Sequence, residues 1–411
     1  MNTTSLIFLV LVMLWVGIRL YLNQRQLQHV RNHRHAVPKP FDNTISLDEH
    51  KKAADYTAAK GGMSILSLIL EVLLLLLWTS AGGLQWLSTL AANFSEHNIV
   101  RGLFLVTGIL LISSVIQLPL TLWNTFNIEK KFGFNNTDLK TFILDRLKGL
   151  VLFAAIGLPI LSLIFWLLQQ AGSLWWIYCW LAWTGFGLLL GWAYPRFIAP
   201  LFNNFSELKD KELLLKINTL LQDNGFDTNG VYVMDGSKRS SHGNAYFTGF
   251  GKSKRIVFFD TLLESLSYDQ IIAVLAHELG HFKHKHIVKG LFVNAIITLI
   301  GFYLIDQFIH SSLPATLGVT DTSQVTLLVL FVLVSPVLSF YLQPLFSWWS
   351  RKNEFEADEF AKQKSSAADL VSALLQMYKD NASSLTPDPL YSRIYYSHPP
   401  AHERIAALQQ V

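Results

Sequence analysis

Charge is scarce in this chain. Only 15% of its 411 residues are Asp, Glu, Lys or Arg, against about 25% in an ordinary soluble globular protein. With 51% hydrophobic residues and a mean hydropathy of +0.33, that scarcity excludes a soluble enzyme and points to a polytopic membrane protein. Cysteine is nearly absent, since Cys179 stands alone. An intramolecular disulfide and a cysteine-built zinc site are thereby excluded, and any metal centre must use His and carboxylate ligands. The net charge of +4 is small, and the positive residues flank apolar runs instead of forming one patch, so no nucleic-acid partner is expected. Internal repeats and low-complexity tracts are also missing.

Long apolar runs are what the chain has in abundance. Seven stretches, at 3–22, 63–90, 101–124, 149–169, 173–194, 287–309 and 325–348, reach the roughly 20 residues needed to cross about 30 Å of hydrocarbon. The second is long, and Gly82-Gly83 either ends its helix or begins an interfacial segment. The first has no basic n-region and no small-residue cleavage signal, so it reads as a retained anchor. Between spans 1 and 2 lie Arg25, Arg31, Arg34, Lys39, Lys51, Lys52 and Lys60, and between spans 3 and 4 lie Lys130, Lys131, Lys140, Arg146 and Lys148. The segments 91–99, 170–172 and 311–323 carry no Lys or Arg. By the positive-inside rule the N-terminus lies outside and the C-terminus in the cytoplasm. Glu71 sits inside the second run, where a carboxylate is costly; it marks either the wall of an internal chamber or a neutral helix contact.

The expected fold class is thus an α-helical polytopic membrane protein of seven transmembrane helices with a small cytoplasmic α+β portion. Residues 1–194 hold helices 1–5, 195–286 form a cytoplasmic segment, 287–348 hold helices 6 and 7, and 349–411 form a cytoplasmic tail. Within the polar segments, "FSELKDKELLLKINTLLQDNGF" has helical periodicity, and "GVYVMDG" is a short β-rich run. Two strands near 244–250 and 255–259, joined by a Gly-containing turn, come next. Ser267 and Gln270 make a capping box for the helix "YDQIIAVLAHELGHFKHKH". A further helix is expected near 350–379, followed by a Pro-punctuated segment and a short helix after His402.

That capped helix carries the chemistry. His277 and His281 are four residues apart and project from one face, with Glu278 about 100° away. Two imidazoles can bind Zn²⁺ while a carboxylate takes a proton from the attacking water. By chance such a pattern arises in on the order of one comparable chain in a hundred. Two histidines and a glutamate in an apolar-periodic helix would also be costly without a partner. A third ligand is needed. His284 lies on the same stripe but cannot wrap back, and the metzincin spacing would need Gly at 284 and His at 287, where His284 and Ile287 stand. His284 and His286 therefore read as interfacial or loosely associated residues, with a role in metal capture or substrate steering left open. Span 7 returns to the cytoplasmic face just before "SRKNEFEADEF", which brings Glu354 in as third ligand. Asp358, on the same helix face, orients a histidine from behind, and Glu356 points away.

The segments "SHGNAYFTGFGKSKRIVFFDTLLE", "AVLAHELGHFKHKH", "SRKNEFEADEFAK" and "YYSHPPAHERIAAL" resemble the type I CAAX prenyl endopeptidases, integral-membrane zinc metalloproteases of the gluzincin-like kind, over nearly the whole chain. The resemblance implies one Zn²⁺ per chain on His277, His281 and Glu354, with Glu278 as general base. It also implies Asn244 as a substrate contact on an edge strand, His398 and Arg404 lining the cleft, and helices that enclose a large water-filled chamber. The implied partners are the lipid bilayer and a peptide or prenylated-protein substrate, with no oligomeric state specified. His398 is expected to stabilise the oxyanion, and Arg404 to bind a substrate carboxylate or brace His398. The short chain without an evident ER-retrieval signal leans to a bacterial member in an inner membrane, the ER membrane being the expectation for a eukaryotic one. A broad-specificity, HtpX-like quality-control metalloprotease is the alternative, disfavoured by the span count and the "SHPPAHER" tail.

Overall fold

The computed structural model describes residues 3–248 and 255–410, with side chains from Leu6 onward. Seven helices among these are long and apolar enough to cross a membrane: Leu6–Asn32, Leu47–Trp78, Asn98–Phe132, Leu139–Gln170, Gly172–Leu201, His286–Ile309 and Gln324–Lys364. The number of spans is the expected one, but the second is displaced. Ser46 and Glu49 form a capping box, in which the Glu49 carboxylate accepts from Ser46 N at 2.8 Å. The helix therefore starts within polar sequence and ends at Trp78. Gly82 follows with φ of 76°, and a Cβ at Gly83 would lie 2.5 Å from the Leu77 carbonyl oxygen. The glycine pair is thus a turn into a separate helix, Gly83–Phe94, and not the interior of a 63–90 span.

The inner faces of the first three spans are polar. Arg19 pairs with Glu71, and Lys60 donates to Glu129 at 2.8 Å and to Asn124 at 3.0 Å. Arg19, Glu71, Asn124 and Lys60 border a cavity of about 420 Å³, which shares Lys60 and Ser64 with a second of about 310 Å³. Glu71 lines the larger of these cavities and is charge-paired with Arg19 across two spans, so it is not the neutral helix contact that was one of the two expectations.

The polar segments build one four-stranded sheet, β1 (Phe205–Glu207), β2 (Val231–Met234), β3 (Ala245–Thr248) and β4 (Arg255–Phe259), in the order β1-β2-β4-β3. Strand β2 is parallel to β4, and both outer pairs are antiparallel. Residues 249 and 250 of the expected first strand, and the turn after them, lie outside the described residues. Phe205–Glu207 forms β1 where helical periodicity was expected to begin. Helix α1 (Lys211–Asp223) starts only after Asp210, whose side chain accepts from two backbone N–H groups.

Helix α2 (Tyr268–Lys283) begins at the expected capping box, with Gln270 accepting from Ser267 N at 2.8 Å. It ends just before Lys285, whose φ of +57° re-aims the chain into the sixth span. Helix α3 (Gln343–Lys364) continues the seventh span into the portion that carries the sheet and α2. The expected single helix over 350–379 is broken at Ser365: Ser366 caps a new helix, α4 (Ala367–Asp380), and accepts from Asp369 N at 3.2 Å. Short helices α5 (Pro389–Tyr395) and α6 (Ala401–Gln409) close the chain. Ile217, Phe258, Leu275, Phe360, Leu374 and Leu408 share one core. Segments on either side of the sixth and seventh spans therefore fold as a single unit.

Candidate metal centre

The centre sits where α2 crosses α3. The crossing is close because Gly280 has no side chain; a Cβ there would lie 2.8 Å from the Ala357 Cα and 3.0 Å from its carbonyl oxygen. The approach sets the α2 histidines opposite Glu354. His277 Nε2 and His281 Nε2 are 3.3 Å apart, and each lies 3.3–3.4 Å from a Glu354 carboxylate oxygen. Among the described residues this is the group of His, Cys, Asp and Glu able to hold a metal ion.

The triangle has the size a zinc site requires. Four ligands at about 2.0–2.2 Å in a tetrahedron stand roughly 3.3–3.6 Å from one another. Glu354 Oε2 is buried and has no hydrogen-bond partner among the described residues. Its neighbours His277 Nε2 at 3.4 Å and Arg404 Nη1 at 3.8 Å make no hydrogen bond to it, and a bound cation would satisfy it. The donor set and its spacing fit Zn²⁺.

Each imidazole is braced from behind, so that its Nε2 keeps a free lone pair. His277 Nδ1–H donates to Asp358 Oδ1 at 2.8 Å. Asp358 is itself held by Arg404, whose Nε and Nη2 donate at 2.8 and 2.5 Å. His281 Nδ1 lies 3.0 Å from His286 Nδ1, and His286 Nε2 lies 3.1 Å from Glu356 Oε2. One proton arrangement satisfies the whole chain: His281 donates to His286, which donates to Glu356. His286 is buried and not the interfacial residue expected, and Glu356 turns away from the triangle only to reach that ring. His284 does stay apart, stacked on His286 and facing a separate cavity of about 730 Å³.

Glu278 contacts no triangle atom by hydrogen bond but lies close enough for both histidines to act on its charge; loss of surrounding water pushes its carboxyl above the ordinary value, and the rings partly offset this. His398 is open, with 65% of its side chain exposed, and its Nε2 lies 3.4 Å from Glu354 Oε1. Ser397 Oγ lies 3.0 Å from His398 Nδ1; if the hydroxyl donates, the imidazole proton sits on Nε2, facing the cluster. Arg404 does not line the cleft. It is buried behind His277, with its guanidinium held by Asp358 and its Nη1 3.8 Å from Glu354 Oε2. Asn244 is exposed at the head of edge strand β3, where its carbonyl accepts from Phe259 N at 2.9 Å.

Comparison with known proteins bears on the whole chain. Residues 26–204 match the family described as CAAX prenyl protease N-terminal, five membrane helices, and residues 207–411 match peptidase family M48. The human CAAX prenyl protease 1 homolog is 35% identical, the match covering 98% of this chain and 94% of that protein. The Saccharomyces cerevisiae CAAX prenyl protease 1 is 34% identical over 95% and 92% of the two chains. The crystal structure of S. mikatae Ste24p superposes with a TM-score of 0.92 at 33% identity, covering 100% of this chain and 99% of that one. This chain belongs to peptidase family M48, among the CAAX prenyl proteases, and is a multi-pass membrane zinc metalloendopeptidase of the CAAX type.

Proposed function

We propose that His277, His281 and Glu354 hold one Zn²⁺ per chain and that Glu278 is the general base for cleavage near the C-terminus of a prenylated protein. The observation that carries this reading is the 3.3–3.4 Å triangle of two imidazole nitrogens and one carboxylate. Zinc bound there supplies Lewis-acid polarisation of the scissile carbonyl and lowers the pKa of water. Asp358 and His286 hold the two imidazoles in the tautomer that presents Nε2. Glu278 takes the proton of the attacking water and later delivers it to the leaving amine; its raised pKa suits both transfers. His398 Nε2–H donates to the developing oxyanion. Strand β3, unpaired on one side among the described residues, receives the extended substrate by main-chain pairing, with Asn244 at its entrance.

Lys and Arg counts in the loops support an N-terminus outside and a cytoplasmic site, the side on which C-terminally prenylated proteins reside. The test is hydrolysis of a farnesylated CAAX peptide and its unprenylated twin by purified protein. Glu278→Gln should lower turnover roughly 10²–10⁴-fold with zinc content unchanged. Full activity in that variant, or zinc loss equal to that of Glu354→Ala, defeats the assignment. Equal cleavage of both peptides defeats the prenylated-substrate reading and favours broad quality-control proteolysis.

A further inference from the structure

A second polar cavity, of about 310 Å³, lies between the end of the fifth span and the outer face of the sheet. Arg196, Arg255, Tyr232, Tyr246 and Thr248 line it, and no acidic side chain does so among the described residues. Thr248 and Arg255 are register partners across β3 and β4, which sets hydroxyl and guanidinium side by side. The Arg255 guanidinium lies over the Tyr232 ring at 5.2 Å, and its Nε is buried without a hydrogen-bond partner among the described residues. The Arg196 guanidinium lies over the Trp192 ring at 5.1 Å. Asp235, the carboxylate next to this lining, is engaged by Asn204 through N at 2.7 Å and Nδ2 at 2.8 Å.

A buried guanidinium nitrogen without an acceptor is costly, and two arginines without a carboxylate make an anion site whose planar forks suit phosphate. Its position selects the source of that phosphate. Trp192, Tyr194 and Phe197 flank Arg196 in the chain and are exposed, at the end of a transmembrane helix. Exposed aromatics there form the belt that sits at headgroup depth. We propose that this cavity binds the phosphate of an anionic phospholipid headgroup. The contrast is the 730 Å³ cavity beside His284, where Lys283, Arg351, Lys352 and Lys364 share the lining with Glu356 and Glu359, so that carboxylates already stand beside the cations.

The test uses the full-length protein in phosphatidylcholine nanodiscs with and without phosphatidylglycerol, followed by native mass spectrometry of retained lipid. Wild type should keep one phosphatidylglycerol through delipidation. Arg196→Gln/Arg255→Gln should lower that retention about tenfold or more, and Lys283→Gln/Lys352→Gln should leave it unchanged. Arg255→Lys, which keeps the charge but loses the fork, should fall between and serves if the double variant does not fold. Unchanged retention in the folded arginine variants overturns the site. Thermal stabilisation by inorganic phosphate in detergent equal to that by phosphatidylglycerol overturns the lipid as its ligand.

Discussion

The two histidines of α2 share a helix face, but the regions behind them are built differently. Behind His277 lies a closed, charged bracket of Asp358 and Arg404, both buried and drawn from distant parts of the chain. Behind His281 lies His286 and then Glu356, whose side chain is 33% exposed. The electronic result is the same in both cases, a proton on Nδ1 and a lone pair on Nε2. The structural stakes differ. The first bracket ties α3 to α6 and cannot lose a member without stranding a buried charge. The second ends at the surface, where water can replace a missing partner. One histidine is held by the fold, the other by an adjustable chain of hydrogen bonds.

The contrast can be broken or sharpened by removing one brace at a time. Asp358→Ala should have the largest effect: about 3–5 kcal/mol of stability, because the buried Arg404 loses both its hydrogen bonds to a carboxylate and keeps only Glu354, 3.8 Å from its Nη1, together with loss of bound metal. A thermal midpoint near wild type would show that the bracket is not structural. His286→Ala should lower zinc affinity about 10–100-fold, read by chelator competition, with a much smaller change in midpoint; a stability loss matching that of Asp358→Ala would erase the distinction. Glu356→Gln should be mildest, a few-fold weaker zinc retention, since a glutamine oxygen still accepts from His286 Nε2. A loss as large as that of His286→Ala would mean that the carboxylate charge, and not the tautomer, matters at this end.

Much of this was legible in the residues. Seven apolar runs, the Ser267–Gln270 capping box and the i, i+4 histidines are local patterns, and local patterns survive folding. What escaped depends on chain direction. His286 lies five residues beyond His281, which places it off the shared stripe of a continuous helix. Only the left-handed Lys285 between two helices swings its ring back. Glu356 pointed away from Glu354 on a helical wheel, correctly, but the wheel did not show that the sixth span's first residue waits on that side. Arg404 carried the expectation of an open cleft residue, because a sequence does not display which arginine finds a buried aspartate. Strand β1 is three residues long and borrows its conformation from β2, so periodicity alone read it as helix. Ser365-Ser366 broke the tail helix through a side-chain cap, which competes with helical continuation in any serine pair.

Gly280 carries a consequence for moving this chemistry elsewhere. The five residues from His277 to His281 can be written onto any helix, and they would bring two ligands and a base with them. They would not bring the third ligand's distance, which is set by how near one backbone can lie to another at Ala357. The transferable unit is therefore a pair of crossing helices with a missing side chain at the point of contact. A designer who copies the letters without that gauge should obtain a helix that binds metal loosely, if at all.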